Sequence, residues 1–277
     1  MTKTWFITGA SKGFGREWAI AALERGDNVA ATARDPKTLD DLAERFGDRL
    51  LPQQLDVDDR AAVFETVRAA HDHFGGLDIV VNNAGYGQFG MIEELSEDEA
   101  RRQFETNVFG ALWVTQAALP FLREQGSGHI LQVSSIGGVN AFPVLGLYHA
   151  SKWGLEAFSQ SLAAEVAEFG IKVTLIEPAG YSTDWRGPSS VQADQLPIYD
   201  GTREARGQLF KGALAEPGDP QATGSVILEL VDADEPPLRV FLGSGTLDMI
   251  RTEYERRLEN WERWDGLANA AQGGVAR

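Results

Sequence analysis

A chain of 277 residues has room for one large domain, and 43% hydrophobic with 24% charged residues is a globular balance rather than a disordered or fibrous one. Its 41 acidic against 25 basic residues give a formal charge of −16, which repels phosphate backbones and anionic lipid and argues against nucleic-acid and membrane partners. With no cysteine there is no disulfide, thiolate nucleophile or Cys-ligated metal, and the 4 histidines lack ligand spacing, so no metal is expected.

From the first residues onward, strand-like and helix-like segments alternate, the pattern of an α/β protein with a parallel sheet and crossover helices. The opening apolar run is too short for a signal peptide and no window reaches the length of a membrane span, so a soluble, cytoplasmic protein is expected. Thr4 to Thr8 reads as a buried strand and Phe14 to Arg25 as a helix closed by Gly26. Asn28 to Arg34 is a second strand, Thr38 to Phe46 a helix, Leu50 to Asp56 a third strand and Ala61 to Phe74 a helix. His71 and His73 flank Asp72 on its polar side and read as solvated. Asp78 to Val81 makes a fourth strand. Ser96 opens a helix with Glu99 at capping-box spacing, and Val108 to Arg123 continues helically to Gly126. His129 to Ser134 is the fifth strand, Tyr148 to Phe169 one long helix, and Lys172 to Glu177 the sixth strand. From Tyr181 to Pro220 the periodicity weakens among Pro, Gly, Ser and Gln, the texture of a substrate loop or lid. A helix over Gln221 to Val231, a strand over Arg239 to Leu242 and a helix from Leu247 to Trp264 complete a single domain of residues 1–265. Residues 266–277 are expected to be a flexible tail. Trp261 and Trp264 read as a helix face packed on the body or on a second subunit.

Thr8-Gly9-Ala10-Ser11-Lys12-Gly13-Phe14-Gly15 follows the first strand and opens the first helix. Glycines there allow a tight turn and let backbone N–H groups at a helix N-terminus approach a pyrophosphate. After the second strand, where a carboxylate would bind a ribose 2′-hydroxyl, the chain has Ala33 and then Arg34. Arg34 and Lys12 are two cations suited to a 2′-phosphate, although Asp35 would take the ribose if the strand ended one residue later. Tyr148 and Lys152 share a helix face at i, i+4, and a neighbouring ammonium favours phenolate, which suits a proton donor to a carbonyl or a base toward an alcohol. Ser134 and Ser135 end the fifth strand, where ligands of open parallel sheets bind. A serine hydrolase is set aside because no histidine is obviously placed as the base of a serine nucleophile. Phe89, Met91, Ile136, Val139, Phe142, Val144, Leu145 and Trp185 are candidates for an apolar substrate pocket or for plain core.

TGASKGFG, Asn82-Asn83-Ala84-Gly85 after the fourth strand, Asn107, Ser135 and Tyr148-x-x-x-Lys152, in order over residues 3 to about 183, resemble the short-chain dehydrogenase/reductase family. The resemblance implies a doubly wound Rossmann-type sheet in the order 3-2-1-4-5-6-7 and a catalytic tetrad of Asn107, Ser135, Tyr148 and Lys152. Ser135 rather than Ser134 orients the carbonyl, Tyr148 is the general acid or base, and Lys152 lowers its pKa and binds the nicotinamide ribose. Asn107 holds a relay water. The implied cofactor contacts are Gly9, Ser11, Lys12, Gly13, Phe14, Gly15, Arg34, Asp56 at the adenine, Val57, Asn83, Ala84, Gly85, Tyr148, Lys152, Pro178, Gly180, Tyr181 and Thr183. One departure is Pro178-Ala179-Gly180, where the family usually has Pro-Gly; it weakens the expected contact of Thr183 with the carboxamide.

The expectation is an NADP(H)-dependent carbonyl reductase or alcohol dehydrogenase acting on a moderately hydrophobic ketone, aldehyde or secondary alcohol, as a homodimer or homotetramer. An NAD(H)-dependent alcohol dehydrogenase of the same fold and a non-catalytic dinucleotide sensor are the alternatives.

Overall fold

The computed structural model describes residues 2–187, 190–213 and 216–273. Seven strands form one parallel sheet: β1 (Thr4–Ile7), β2 (Asn28–Ala33), β3 (Leu50–Gln54), β4 (Ile79–Asn82), β6 (Gly128–Val133), β7 (Ile171–Pro178) and β9 (Arg239–Leu242). Two short strands, β5 (Gln88–Phe89) and β8 (Val191–Gln192), pair separately beside it. The order β3-β2-β1-β4-β6-β7-β9 is the expected Rossmann-type order once the small pair is set aside. Period-2 alternation explains why the central strands read as continuous apolar runs. Trp5 and Ile7 of β1 enter one core layer and Phe6 the other; Val29 and Ala31 of β2 oppose Ala30 in the same way. Helices α1 (Gly13–Arg25), α2 (Asp40–Phe46) and α8 (Thr223–Asp232) cover the first layer. Helices α3 (Arg60–Phe74), α5 (Ala111–Gln125) and α6 (Gly146–Val166) cover the second. Strand order reverses between β1 and β4, and at such a switch point the loops leaving the strands diverge and open a crevice.

The capping box predicted at Ser96 opens α4 (Glu97–Phe104): Ser96 Oγ accepts from Glu99 N, and Glu99 returns to Ser96 N at 2.8 Å. Between α4 and α5 the chain winds one wide π-helical turn, Glu105–Gly110, where a simple helix was expected from Val108. The stretch from Tyr181 to Pro220 is not irregular throughout. It contains β8 and a helix, α7 (Asp200–Ala213), whose glycines Gly201, Gly207 and Gly212 lower its helix propensity. The final helix α9 (Thr246–Ala271) runs through Gly266 past the expected stop at Trp264, because one interior glycine costs only about 1 kcal/mol and the Ala-rich end compensates. Of the expected tail, 274–277 lie outside the described residues. Trp261 and Trp264 do not pack on the body: they are 62% and 58% exposed. No helix among the described residues is long and apolar enough to cross a membrane.

Candidate active site

A cleft of about 640 Å³ opens at the carboxyl ends of the strands along the switch point. At its floor is the turn from β1 into α1. Gly9 and Gly13 have φ of +65° and +59°, a region that penalises a side chain, and a Cβ at Gly15 would lie 2.5 Å from Asn83 Nδ2. Asn83 braces this turn, donating from Nδ2 to the carbonyls of Thr8 at 2.9 Å and Gly9 at 3.0 Å. Thr8 Oγ1 accepts from the backbone N–H groups of Asn83 and Ala84. No acidic residue occupies the first turn of α1, so its N–H groups and dipole remain available to an anion.

At the far end of the cleft β2 stops at buried Ala33, and exposed Arg34 lines the wall with Asp56, Val57 and Asp58. Burial raises the carboxyl of Asp58 above its ordinary range, while a hydrogen bond from Thr106 Oγ1 at 3.2 Å pulls the other way. Asp35 does not reach this wall. Its carboxylate accepts from Lys37 N at 3.1 Å and caps the short turn Pro36–Leu39, a use of the residue that sequence reasoning missed. Lys12 also lines the cleft, but its Nζ lies 3.3 Å from Asp184 Oδ2, so it leans toward the segment after β7.

Tyr148 and Lys152 lie on one face of α6 and are 5% and 6% exposed. Burial pushes the phenol up to about 12, against a hydrogen bond with Ser135, and pushes the ammonium down to about 8. Lys152 Nζ donates to Val133 O at 2.7 Å and lies 5.9 Å from the Tyr148 ring centroid. Burial, rather than the expected influence of Lys152, sets the phenol, and Tyr148 stands protonated at neutral pH. Ser135, two residues past the end of β6, caps the turn Ile136–Gly138, accepts from Gly137 N at 3.0 Å and engages Tyr148. Its neighbour Ser134 lies beside Glu156 instead.

Asn107 sits in the π-helical turn, 1% exposed and behind the cleft wall. Its Oδ1 accepts from Tyr86 N at 3.1 Å, and its Nδ2 donates to Tyr86 O and Ser151 Oγ, both at 3.0 Å. A Cβ at Gly85 would stand 3.1 Å from Asn107 Oδ1 and 3.6 Å from Lys152 Nζ, so these two side chains converge on one glycine. Ser11, Phe14, Pro178, Gly180, Tyr181 and Thr183 all line the cleft, whereas Gly15 lies behind it. Ala179 fits its place without displacing the chain: its N–H donates to Leu242 O at 2.8 Å, and Gly243 leaves room for its methyl group.

Of the apolar candidates, Ile136, Phe142, Leu145 and Trp185 line the cleft; Phe89 and Val144 pack behind Tyr148, and buried Met91 and Val139 do not line it. The Trp185 ring stands 4.9 Å from that of Tyr148. His149, unremarkable in sequence, also lines the cleft; burial takes it down to about 4, so it is neutral.

The family model for short chain dehydrogenases matches residues 3–194. The chain belongs to the short-chain dehydrogenase family. Oxidoreductase BOA17 of Botryotinia fuckeliana is 41% identical over 273 residues, covering 98% of this chain and 100% of that protein. A short-chain dehydrogenase from Streptomyces avermitilis has the same fold with a TM-score of 0.91 and 36% identity, covering 98% of each chain. An alcohol dehydrogenase from the archaeon Thermococcus sibiricus, solved in complex with 5-hydroxy-NADP, superposes with a TM-score of 0.74 at 25% identity, covering 89% of this chain and 98% of that one. The protein is thus a short-chain dehydrogenase family oxidoreductase with a dinucleotide-binding fold.

Proposed function

We propose that this short-chain dehydrogenase is an NADP(H)-dependent carbonyl reductase or alcohol dehydrogenase whose substrate is a moderately hydrophobic ketone, aldehyde or secondary alcohol. The observation that carries this reading is a buried, protonated phenol, Tyr148, engaged with Ser135 and flanked by Lys152, between a glycine turn that fits a pyrophosphate and a wall of Phe142, Leu145 and Trp185. Ser135 donates to the substrate oxygen and orients it. Tyr148 passes its proton to that oxygen as the carbonyl is reduced, and takes it back from an alcohol in the reverse direction. Lys152 supplies the positive charge beside the phenolate that proton transfer leaves. Asn107 holds the Tyr86 backbone and Ser151, and with them the wall behind Lys152. The nicotinamide, when bound, supplies or accepts the hydride. Arg34 meets the 2′-phosphate, and this reading is supported by the capping role of Asp35 and by the NADP analogue on the Thermococcus sibiricus enzyme.

The test is a panel of ketones and alcohols assayed with both cofactors, run in parallel with Tyr148→Phe. The variant should bind NADPH as the parent does and lose about 10²- to 10⁴-fold in turnover, the worth of a positioned general acid. A Tyr148→Phe protein that keeps most of its activity overturns the assignment. Cofactor binding without turnover of any substrate in the panel would favour a dinucleotide sensor.

A further inference from the structure

Two carboxylates near the site take no part in the reaction above and are out of reach of water. Glu156 lies on α6 one turn beyond Lys152 and is 5% exposed; Glu177, near the end of β7, is 0% exposed. One guanidinium faces both. Arg239 of β9 donates from Nε to Glu156 Oε2 at 2.9 Å, and the same nitrogen stands 3.5 Å from Glu177 Oε1. Its Nη2 donates to Gln160 Oε1 at 2.8 Å, so the guanidinium spans two successive turns of α6. Across the cluster, a Cβ at Gly138 would stand 2.4 Å from Ser134 Oγ and 3.1 Å from Glu156 Oε1; the glycine leaves the space in which serine and carboxylate meet.

Among the described residues, Arg239 is the one cation in contact with both buried carboxylates, while Lys152, one turn away on α6, donates from Nζ to Val133 O. A second bare carboxylate would be both desolvated and repelled by the first, so the pair retains a proton. Burial and the charge of Glu156 push Glu177 up to about 8, whereas Glu156 has the shorter contact with Arg239. The attraction of Glu156 is also what opposes burial at the Lys152 ammonium. Among the described residues, the charged or titratable groups facing the pair are Lys152 from α6, Arg239 from β9 and each other; Ser134, just past β6, and the turn Ile136–Gly138 offer only a neutral hydroxyl and backbone. His149, across Gly137, is neutral.

We propose that Glu156, Glu177 and Arg239 form a positioning unit for the reaction, in which the two carboxylates share one proton and the negative charge left on Glu156 keeps Lys152 protonated beside Tyr148. Glu177 is then a carboxylic acid in the working enzyme, and Arg239 ties β9 and β7 to the helix that carries Tyr148 and Lys152.

Two measurements test this, and only the second rests on the reductase reading. Infrared difference spectra of the free protein, titrated between about pH 6 and pH 9, should show a carboxylic-acid carbonyl band that disappears as pH rises and is missing from Glu177→Gln. A wild-type protein without such a band overturns the shared proton, whether or not a substrate is known. In carbonyl reduction, Glu156→Gln should move the alkaline limb of kcat/KM to lower pH by about one unit, because Lys152 loses the charge that holds its proton. Glu156→Asp, which keeps the charge on a shorter arm, should move it less. A purely structural loss would scale the rate at every pH and leave the limb in place, and that outcome overturns the link to Lys152. Should Glu156→Gln fail to fold, Glu156→Asp and the infrared titration still decide. Absence of turnover in the wild type would instead sink the reductase reading and leave the infrared result standing.

Discussion

Replacing Arg34 by Asp should reverse the cofactor preference. The 2′-phosphate carries close to two negative charges at neutral pH. Arg34 is exposed at the end of β2, so its charge-assisted hydrogen bonds fall at the low end of their usual range, about 1.5 kcal/mol. A carboxylate in its place removes that attraction and adds repulsion of up to about 2 kcal/mol, estimated as two charge pairs about 4 Å apart in water. Salt reduces the second contribution, leaving a swing of about 2–3.5 kcal/mol, or roughly 30- to 300-fold in the ratio of kcat/KM for NADPH and NADH. The new carboxylate also supplies the acceptor that a ribose 2′-hydroxyl needs, so NADH use should rise in absolute terms. Lys12→Ala should cost less, because Asp184 at 3.3 Å already balances its ammonium and that pair must open before a phosphate gains from it. The assay is kcat/KM for both cofactors in the three proteins at one ionic strength. A wild type that favours NADH, or an Arg34→Asp protein with unaltered preference, refutes the reasoning and returns the ribose to Asp35 despite its capping bond to Lys37.

The remaining predictions concern the cap and the core. The Glu94 carboxylate accepts from Leu196 N at 2.8 Å and pairs with Arg203 of α7, so Glu94→Ala should speed hydrogen exchange over residues 190–205 and raise KM for the carbonyl several-fold while leaving cofactor affinity intact; unchanged exchange would argue against a lid held at this point. His129 and His149 are kept by burial at about 3 and about 4, so below 6.5 the unfolded chain binds more protons than the folded one, and stability falls with falling pH by about 1.4 kcal/mol per unit for each. Glu177 works in the opposite sense between 4.5 and about 8, where the folded chain holds the extra proton. His129→Gln should therefore flatten the acid slope in denaturant melts, and a slope that does not change would assign the titration to another group.

What could be read in the sequence follows from what leaves a local pattern. The β/α alternation, the capping box at Ser96 and the glycine turn before α1 are each written within a few consecutive residues, and all three stand in the structure. The π-helical turn at Asn107 left no such mark, because a helix wound one residue wider keeps nearly the same apolar spacing. Helix α7 is hard to read for a different reason: three glycines, Gly201, Gly207 and Gly212, lower its helix propensity. Asp35 was ambiguous because its sequence position suits both a ribose contact and a cap, and only the 3.1 Å bond from Lys37 N separates the two.

The acid pair was invisible for a reason that concerns the chemistry itself. Tyr148, Lys152 and Glu156 are spaced i, i+4, i+8, and one face of α6 carries all three into the interior. In sequence, a glutamate one turn after a lysine reads as a solvated ion pair worth a few tenths of a kcal/mol. Its second partner, Glu177, lies on β7 and its third, Arg239, on β9, so no window of the chain holds more than one corner of the cluster. Desolvation then changes what each residue is: Tyr148 keeps its proton, Lys152 is drawn toward losing its own, and Glu177 becomes an acid. These shifts arise in one buried stripe of α6 and the strands it covers. A substitution there, even without touching substrate, should register first as a displaced pH profile and only then as a change in rate at the optimum.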